Sequence, residues 1–121
     1  MSLKHSILQQ NGGVIFTIEG KICSPEDSDL LIAALNDLIE KKSPFLIIDI
    51  EKLDYITSSG LNFFIRCLTR IRTIGGELII TGLHGNVEKL FNISKLNEIF
   101  TFSSSVEEGL KRLNAKKSMS V

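Results

Sequence analysis

The segment Phe45-Leu46-Ile47-Ile48 constrains the fold more than any other part of this sequence, because it is apolar without interruption and ends at Asp49. A strand with one solvent-exposed face would alternate apolar and polar residues, so a continuous apolar run predicts a strand that is buried on both faces. We therefore predict that residues 45–49 form the central strand of a sheet.

Two amphipathic helices are predicted, one before this strand and one after it. The first begins at Ser24-Pro25-Glu26-Asp27, where serine can cap free N–H groups, and runs to about Lys41. Its core face is predicted to comprise Leu30, Leu31, Ala34, Leu35, Leu38 and Ile39.

The second helix runs from Ser58 to about Ile74 and is closed by Gly75-Gly76. Its predicted core residues are Leu61, Phe64, Ile65, Leu68 and Ile71, widened by Phe63, Cys67 and Ile74. A narrow strip remains for solvent or a partner: Asn62, Arg66, Thr69, Arg70 and Thr73.

The remaining segments predict a mixed sheet with helices packed against it, which is an α/β fold. The chain opens with a predicted hairpin, whose strands Leu3 to Gln9 and Val14 to Glu19 are joined by Asn11-Gly12-Gly13. Between the two long helices and after them we predict a loop from Ile50 to Thr57, a strand Glu77 to Thr81, a loop from Gly82 to Gly85, a short helix from about Asn86 to Phe91 and a strand Phe100 to Phe102. A last helix begins at Ser103-Ser104-Ser105 and carries Val106, Leu110 and Leu113 on one side. We predict a single domain over residues 1–115 and a flexible tail over residues 116–121.

Composition excludes several classes of function. The 121 residues carry 14 basic and 14 acidic side chains, so the charge that drives direct nucleic-acid binding is missing. No apolar run approaches the roughly 18 residues needed to cross a bilayer, so we predict no membrane insertion and a cytoplasmic protein. Cys23 and Cys67 are too far apart in sequence for a metal motif, and we predict that both are reduced, packed thiols. We expect no metal and no cofactor.

The candidate functional site is the turn Thr57-Ser58-Ser59-Gly60, where three hydroxyl side chains stand at the start of a long helix. The first N–H groups of a helix lack internal partners, and an oxyanion there is favoured by roughly 0.3 to 1 kcal/mol. Ser58 therefore suits a phosphate. The alternative interpretation is that Ser58 only caps the helix while Gly60 allows close packing.

Catalysis is not predicted. A nucleophilic Ser58 would need a histidine base, and the two histidines, His5 and His84, fall in the first strand and in a loop. The acids Asp49, Glu51 and Asp54 are interpreted as ordinary loop acids, and the sequence has no P-loop. We conclude that the chain is not an enzyme and has no catalytic residues.

Three segments together resemble the STAS family, the sulphate transporter and anti-sigma factor antagonist domain. They are Asp49 to Leu61, Gly75-Gly76, and Val87-Glu88-Lys89-Leu90-Phe91-Asn92-Ile93-Ser94-Lys95-Leu96. The resemblance covers nearly the whole chain and implies an anti-sigma factor antagonist that works by partner switching. It implies that the unphosphorylated form binds an anti-sigma factor, which is also a serine kinase with a histidine-kinase-like ATPase fold, and thereby frees the sigma factor. Phosphorylation at Ser58 would release the antagonist, and a PP2C-type phosphatase would reset it. The implied partner-binding residues are Thr57, Ser58, Ser59, Gly60, Asn62 and Arg66.

Two positions depart from the family's pattern. The family's antagonists usually carry an aspartate immediately before the phosphorylated serine, where this chain has Thr57. They also carry one in a Gly-x-hydrophobic-Asp pattern, where this chain reads Gly20-Lys21-Ile22-Cys23. These departures leave open a second reading, in which the chain is a non-phosphorylated STAS scaffold subunit of a transporter or of a multi-protein signalling complex.

Overall fold

The computed structural model describes residues 3–10, 13–40 and 45–119 of the chain. That part of the chain contains six strands, four α-helices and one 3₁₀ turn. In order they are β1 (Lys4–Gln10), β2 (Gly13–Ile22), α1 (Pro25–Glu40), β3 (Phe45–Asp49), β4 (Leu53–Ile56), α2 (Ser58–Thr73), β5 (Glu77–Thr81), α3 (Gly85–Ile93), the 3₁₀ turn Leu96–Glu98, β6 (Thr101–Ser103) and α4 (Val106–Met119).

The strands form one mixed sheet in the order β1-β2-β3-β5-β6. β1 is antiparallel to β2, whereas β2, β3, β5 and β6 run parallel to one another. β4 lies off this path and pairs in parallel with the end of β2, after a register shift between Gly20 and Lys21. The predicted α/β fold, the opening hairpin and the central position of β3 are confirmed. The predicted turn residues Asn11 and Gly12 lie outside the described residues.

Helices cover the sheet on both faces, which explains the apolar run of β3. Leu46 and Ile48 belong to the main core, together with residues of α1, α2 and α3. Ile47, between them, points to a smaller cluster on the opposite face with Leu110 and Leu113 of α4. Because successive side chains of a strand point to opposite faces, both faces of β3 must be apolar.

Aromatic rings fix α2 and α3 against the sheet. Phe16 of β2 meets Phe63 of α2 edge to face at 6.4 Å, and Phe64 meets Phe91 of α3 at 5.2 Å between ring centroids. Phe63 and Phe64 are themselves 5.2 Å apart. Edge-to-face pairs of this kind each add about 0.5 to 1.5 kcal/mol beyond the burial of their area. The body of α2 is therefore held firmly.

The predicted start of α1 is confirmed in detail. The Ser24 hydroxyl accepts a hydrogen bond from the Asp27 N–H at 3.1 Å, and the Asp27 carboxylate accepts one from the Cys23 N–H at 3.0 Å. The two bonds satisfy two N–H groups at the helix start; they resemble a capping box, except that Asp27 accepts from the residue before the capping serine.

Several sequence predictions were wrong. The segment from Ile50 to Thr57 is not all loop, since it contains β4. Leu30, Ile65 and Ile74, which we placed on core faces, are 54%, 42% and 41% exposed. The core position that α1 supplies near Leu30 is Ile32, which is buried.

Other predictions hold only in part. Cys67 is buried but Cys23 is exposed, so only one of the two thiols is packed. The side chains of Leu38 and Ile39, and residue Lys41, lie outside what the structure describes. α4 continues to Met119, and the flexible tail over residues 116–121 stays a prediction.

Candidate functional site

Thr57, not Ser58, caps helix α2. Its backbone is extended, with φ −107° and ψ −169°, and its hydroxyl oxygen accepts a hydrogen bond from the Ser59 N–H at 3.3 Å. This corrects the alternative interpretation in which Ser58 was the cap. Because Thr57 caps the helix, the Ser58 hydroxyl is not needed as the N-cap.

Ser58 is the first residue of α2, and its side chain is exposed. Its hydroxyl makes no hydrogen bond with any residue that the structure describes. α2 has no acidic residue in its first turn, so no carboxylate of that turn neutralises the positive end of the helix. An exposed, unbonded hydroxyl at such an end is chemically suited to carry a phosphate.

The turn around Ser58 is anchored from three other elements. The Ile56 N–H donates to Asn86 Oδ1 of α3 at 3.0 Å. The Thr57 N–H donates to the Ile22 carbonyl of β2 at 3.1 Å. The third bond comes from the Ser28 hydroxyl of α1, which donates to the Ser59 carbonyl at 2.6 Å.

Gly60 lets the first turn of α2 approach the sheet closely. A Cβ atom built on Gly60 would lie 2.6 Å from Ile56 Cβ and 3.4 Å from Ile22 Cβ. The part of the alternative interpretation that assigned close packing to Gly60 is therefore confirmed.

A groove of about 220 Å³ lies beside Ser58, between the starts of α1 and α2. Its lining residues are Pro25, Ser28, Ser58, Ser59, Asn62 and Arg66. Four of the six predicted partner-binding residues thus line one surface. Of the other two, Gly60 is buried, whereas Thr57 is half-buried and outside the lining.

Arg66 supplies the positive charge of this groove. Its guanidinium contacts the carboxylate of Asp29 at 3.3 Å, and the two side chains are 35% and 69% exposed. Exposed ion pairs contribute only about 0 to 1 kcal/mol, so this one restrains Arg66 weakly. Arg66 can therefore leave Asp29 for a stronger anion at little cost.

The two positions that depart from the family's pattern lie close together. Cys23 follows the end of β2 directly, and Thr57 is hydrogen-bonded to Ile22, the last residue of that strand. Cys23 is exposed and its backbone N–H is used in the start of α1. The two side chains are uncharged here, although the Asp27 carboxylate lies 3.0 Å from the Cys23 N–H.

Cys67, on the core side of α2, is not a reactive group. Burial raises the pKa of its thiol far above the ordinary value, and the positive charges of Arg66 and Arg70 offset this only in part. A thiol held protonated in this way is not a nucleophile at neutral pH.

The residues considered for catalysis lie apart from the groove. His84 contacts the Glu51 carbonyl through Nε2 at 2.7 Å, and His5 packs edge to face on Phe16. Asp49 accepts a hydrogen bond from the Glu51 N–H, which is a local turn contact. Within the described ranges, no group of three or more His, Cys, Asp or Glu residues could hold a metal ion. Nor is any helix there long and apolar enough to span a membrane.

Sequence reasoning missed Pro25, Ser28, Asp29 and Asn86 as residues of this site. Nothing in the local sequence marks them, because they come close to the turn or to Arg66 only when α1 and α3 pack beside α2 and β4.

The fold and this site place the chain in a known class. The family model of the STAS domain matches residues 5–109, and the chain belongs to this family. Anti-sigma factor antagonists within it are regulatory proteins rather than enzymes, in agreement with the prediction of a non-catalytic protein.

Its relatives include anti-sigma factor antagonists from several bacteria. The chain is 30% identical over 97 residues to BtrV of Bordetella bronchiseptica, described as a candidate anti-sigma factor antagonist, with 80% of this chain and 83% of that protein aligned. An anti-sigma factor antagonist from Mycobacterium paratuberculosis superposes with a TM-score of 0.82 at 15% identity, covering 93% of this chain and 95% of that one. SpoIIAA of Bacillus, solved in its phosphorylated form, gives a TM-score of 0.71 at 17% identity, covering 90% and 98%.

Proposed function

We propose that this chain is an anti-sigma factor antagonist that acts by partner switching, with Ser58 as the phosphorylated residue. The unphosphorylated form binds an anti-sigma factor that is also a serine kinase, and so frees a sigma factor. Phosphate on Ser58 releases the antagonist, and a PP2C-type phosphatase removes it. One observation carries the proposal: the Ser58 hydroxyl is exposed at the start of α2 beside a groove, while Thr57 performs the capping.

The helix start makes the phosphorylated form compatible with the fold. Phosphate brings a charge of about −1.5 to −2, and the free N–H groups of a helix N-terminus favour that charge. Arg66 lines the same groove and is only weakly paired with Asp29, so its positive charge also favours an anion there. Phosphorylation should therefore leave the structure intact.

The switch then acts on binding. A partner pressed against the groove would have to desolvate the phosphate on Ser58, which is costly unless the partner pairs it. A penalty of about 3 to 4 kcal/mol weakens a complex by two to three orders of magnitude, at 1.4 kcal/mol for each factor of ten. This is enough to dissociate a micromolar complex at cellular concentrations.

The phosphorylation site is tested with the kinase and ATP, using Ser58→Ala and Ser59→Ala as a matched pair. Ser59 is the same residue type one position along, and its hydroxyl is not used in the anchoring bonds, which engage its backbone. We expect one phosphate per chain in the wild type and in Ser59→Ala, and none in Ser58→Ala. Phosphate that persists in Ser58→Ala would defeat the assignment.

Binding is tested by recovering partners from the native cell with wild-type protein and with Ser58→Asp. An ATPase of the histidine-kinase-like type should be recovered with the wild-type protein and should be absent from the material recovered with Ser58→Asp. Ser6→Asp serves as the control for added charge, because Ser6 is exposed on β1 and does not line the groove; it should recover the same partner as the wild type. A kinase that binds Ser58→Asp as tightly as wild type contradicts the switch.

A second function is favoured by the uncharged side chains of Cys23 and Thr57, which stand where the family's antagonists usually carry aspartates. If a kinase needs the acids that the family carries there, the chain is instead a scaffold subunit of a transporter or a signalling complex. Its partner would then bind wild type and Ser58→Asp alike. The neighbouring genes separate the two functions: a kinase and a PP2C-type phosphatase support the antagonist, and transporter subunits support the scaffold. A cytoplasmic location belongs to either proposal.

A further inference from the structure

The backbone on both sides of Ser58 is fixed by other elements, while the serine hydroxyl itself is unbonded among the described residues. The three anchoring bonds come from α3, β2 and α1 in turn: Ile56 N–H to Asn86 Oδ1, Thr57 N–H to Ile22 O, and Ser28 Oγ–H to Ser59 O. The position of the turn is therefore set by tertiary structure and not by α2 alone.

Asn86 acts at the free edge of β4. Ile56 is the last residue of β4, and β2 is the strand that β4 pairs with in the described sheet. The Ile56 N–H points away from β2 and would be unpaired, but the Asn86 side chain accepts it at 3.0 Å. The Asn86 side chain thus supplies the acceptor that a neighbouring strand would otherwise offer to Ile56, the last residue before the turn.

Ser28 acts on the other side of Ser58. Its side chain is only 2% exposed, and its hydroxyl donates to the Ser59 carbonyl at 2.6 Å. A buried hydroxyl needs a hydrogen-bond partner, and here the partner is a carbonyl in the first turn of α2. The bond ties α1 to that first turn.

We propose that Ser28 and Asn86 are positioning residues, which hold the turn so that the Ser58 hydroxyl stands in one place for the kinase. The statement about the kinase rests on the proposed function, whereas the anchoring of the turn does not. Transfer of phosphate requires the hydroxyl to be aligned with the donor, and a displacement of about 1 Å can reduce the rate roughly a hundredfold.

The anchoring is tested without any partner, by hydrogen exchange of the Ile56 amide measured by NMR. In Asn86→Ala we expect this amide to exchange about tenfold faster, the factor that corresponds to losing one hydrogen bond. Asn86→Asp retains an oxygen acceptor and should restore slow exchange. Asn92→Ala, on the same helix and exposed, should leave the Ile56 amide unchanged. Unaltered exchange in Asn86→Ala would overturn the proposal.

The positioning role is tested by the kinetics of Ser58 phosphorylation. Ser28→Ala and Asn86→Ala should lower kcat by roughly 10- to 100-fold while KM changes less than about twofold, because the hydroxyl is misplaced but the surface is kept. Asn86→Asp should recover most of kcat, since it keeps an oxygen acceptor for the Ile56 N–H. Circular dichroism at the assay temperature checks that every variant is folded.

The outcomes separate this proposal from the proposed function. Wild-type rates in both alanine variants, or a loss that Asn86→Asp does not rescue, refute positioning and leave the partner switch intact. A wild-type protein that no kinase phosphorylates refutes the partner switch and the kinase part of this proposal. The Ile56 exchange rates then still decide whether Asn86 anchors the turn.

Discussion

Replacement of Gly60 by alanine is the sharpest test of how α2 is seated on the sheet. Gly60 is buried in the first turn of α2, and an added Cβ would lie 2.6 Å from Ile56 Cβ and 2.9 Å from Ile56 Cγ2. Real Cβ atoms do not approach so closely, and Ile56 Cβ is bonded directly to the backbone. The clash can be relieved only by moving the helix start away from β4.

The magnitude follows from two opposing effects. Overpacking of a buried site costs about 1 to 3 kcal/mol, and a contact with a rigid atom lies near the upper end. Alanine is favoured over glycine within a helix by about 1 kcal/mol. The net loss of unfolding free energy for Gly60→Ala is therefore about 2 kcal/mol. For a chain of 121 residues this lowers Tm by roughly 8 °C, at about 4 °C per kcal/mol.

Gly109→Ala is the matched control, because Gly109 also lies in the first turn of a helix. Its nearest contact would be Ile47 Cδ1 at 3.0 Å, the mobile end of a side chain. The helix gain then offsets the crowding, and we expect stability within about 1 kcal/mol of wild type. Urea and thermal unfolding followed by circular dichroism measure both variants. A Gly60→Ala protein as stable as Gly109→Ala would refute the close seating of α2.

Three further predictions concern the helix starts and the thiols. Thr57→Ala removes the cap of α2 and should lower the unfolding free energy by about 1 kcal/mol, measured by urea titration. Thr57→Ser keeps the capping hydroxyl and should be as stable as the wild type. Equal stability of the alanine and serine variants would contradict the cap. A thiol-reactive dye should label Cys23 at once and Cys67 only on unfolding, because burial raises the pKa of Cys67; two fast thiols would contradict its burial. The pKa of Glu108 is lowered, mainly by the hydrogen bond from the Ser104 N–H, so its contribution to stability is present above the unfolded-state pKa and lost as pH falls through the folded-state pKa. Glu108→Gln should therefore be less stable than wild type at neutral pH but not at acidic pH, and a difference that stays constant with pH would contradict this assignment.

The sequence was sufficient to predict the elements whose patterns are long and regular. The uninterrupted apolar run before Asp49 predicted a central strand, because a strand whose two faces are both buried carries apolar side chains on both. The start of α1 was equally predictable, since the Ser24 hydroxyl accepts from the Asp27 N–H and the Asp27 carboxylate accepts from the Cys23 N–H, all within five residues. Both signals are local, so no knowledge of packing was needed.

β4 was missed because its pattern is neither alternating nor continuous. Leu53 and Ile56 are buried while Asp54 and Tyr55 between them are exposed. What makes this segment a strand is the bulged end of β2 beside it, together with the Asn86 side chain. Both are distant in sequence. The exposure of Leu30 and Ile65 has a similar cause, since periodicity locates a helix stripe but not how far neighbouring elements cover its edges.

The structure also changes what the substitution at Thr57 means. The residue before the phosphorylated serine is usually an aspartate in the family's antagonists, and its position here is the N-cap of α2. Aspartate and threonine are both good N-caps, so exchanging them preserves the start of the helix and the place of Ser58. The exchange removes a negative charge from this surface, where Cys23 also replaces an acid. Under the proposed function, the departure from the family's antagonists therefore concerns which kinase or partner recognises this surface, and the helix start that presents Ser58 is unchanged.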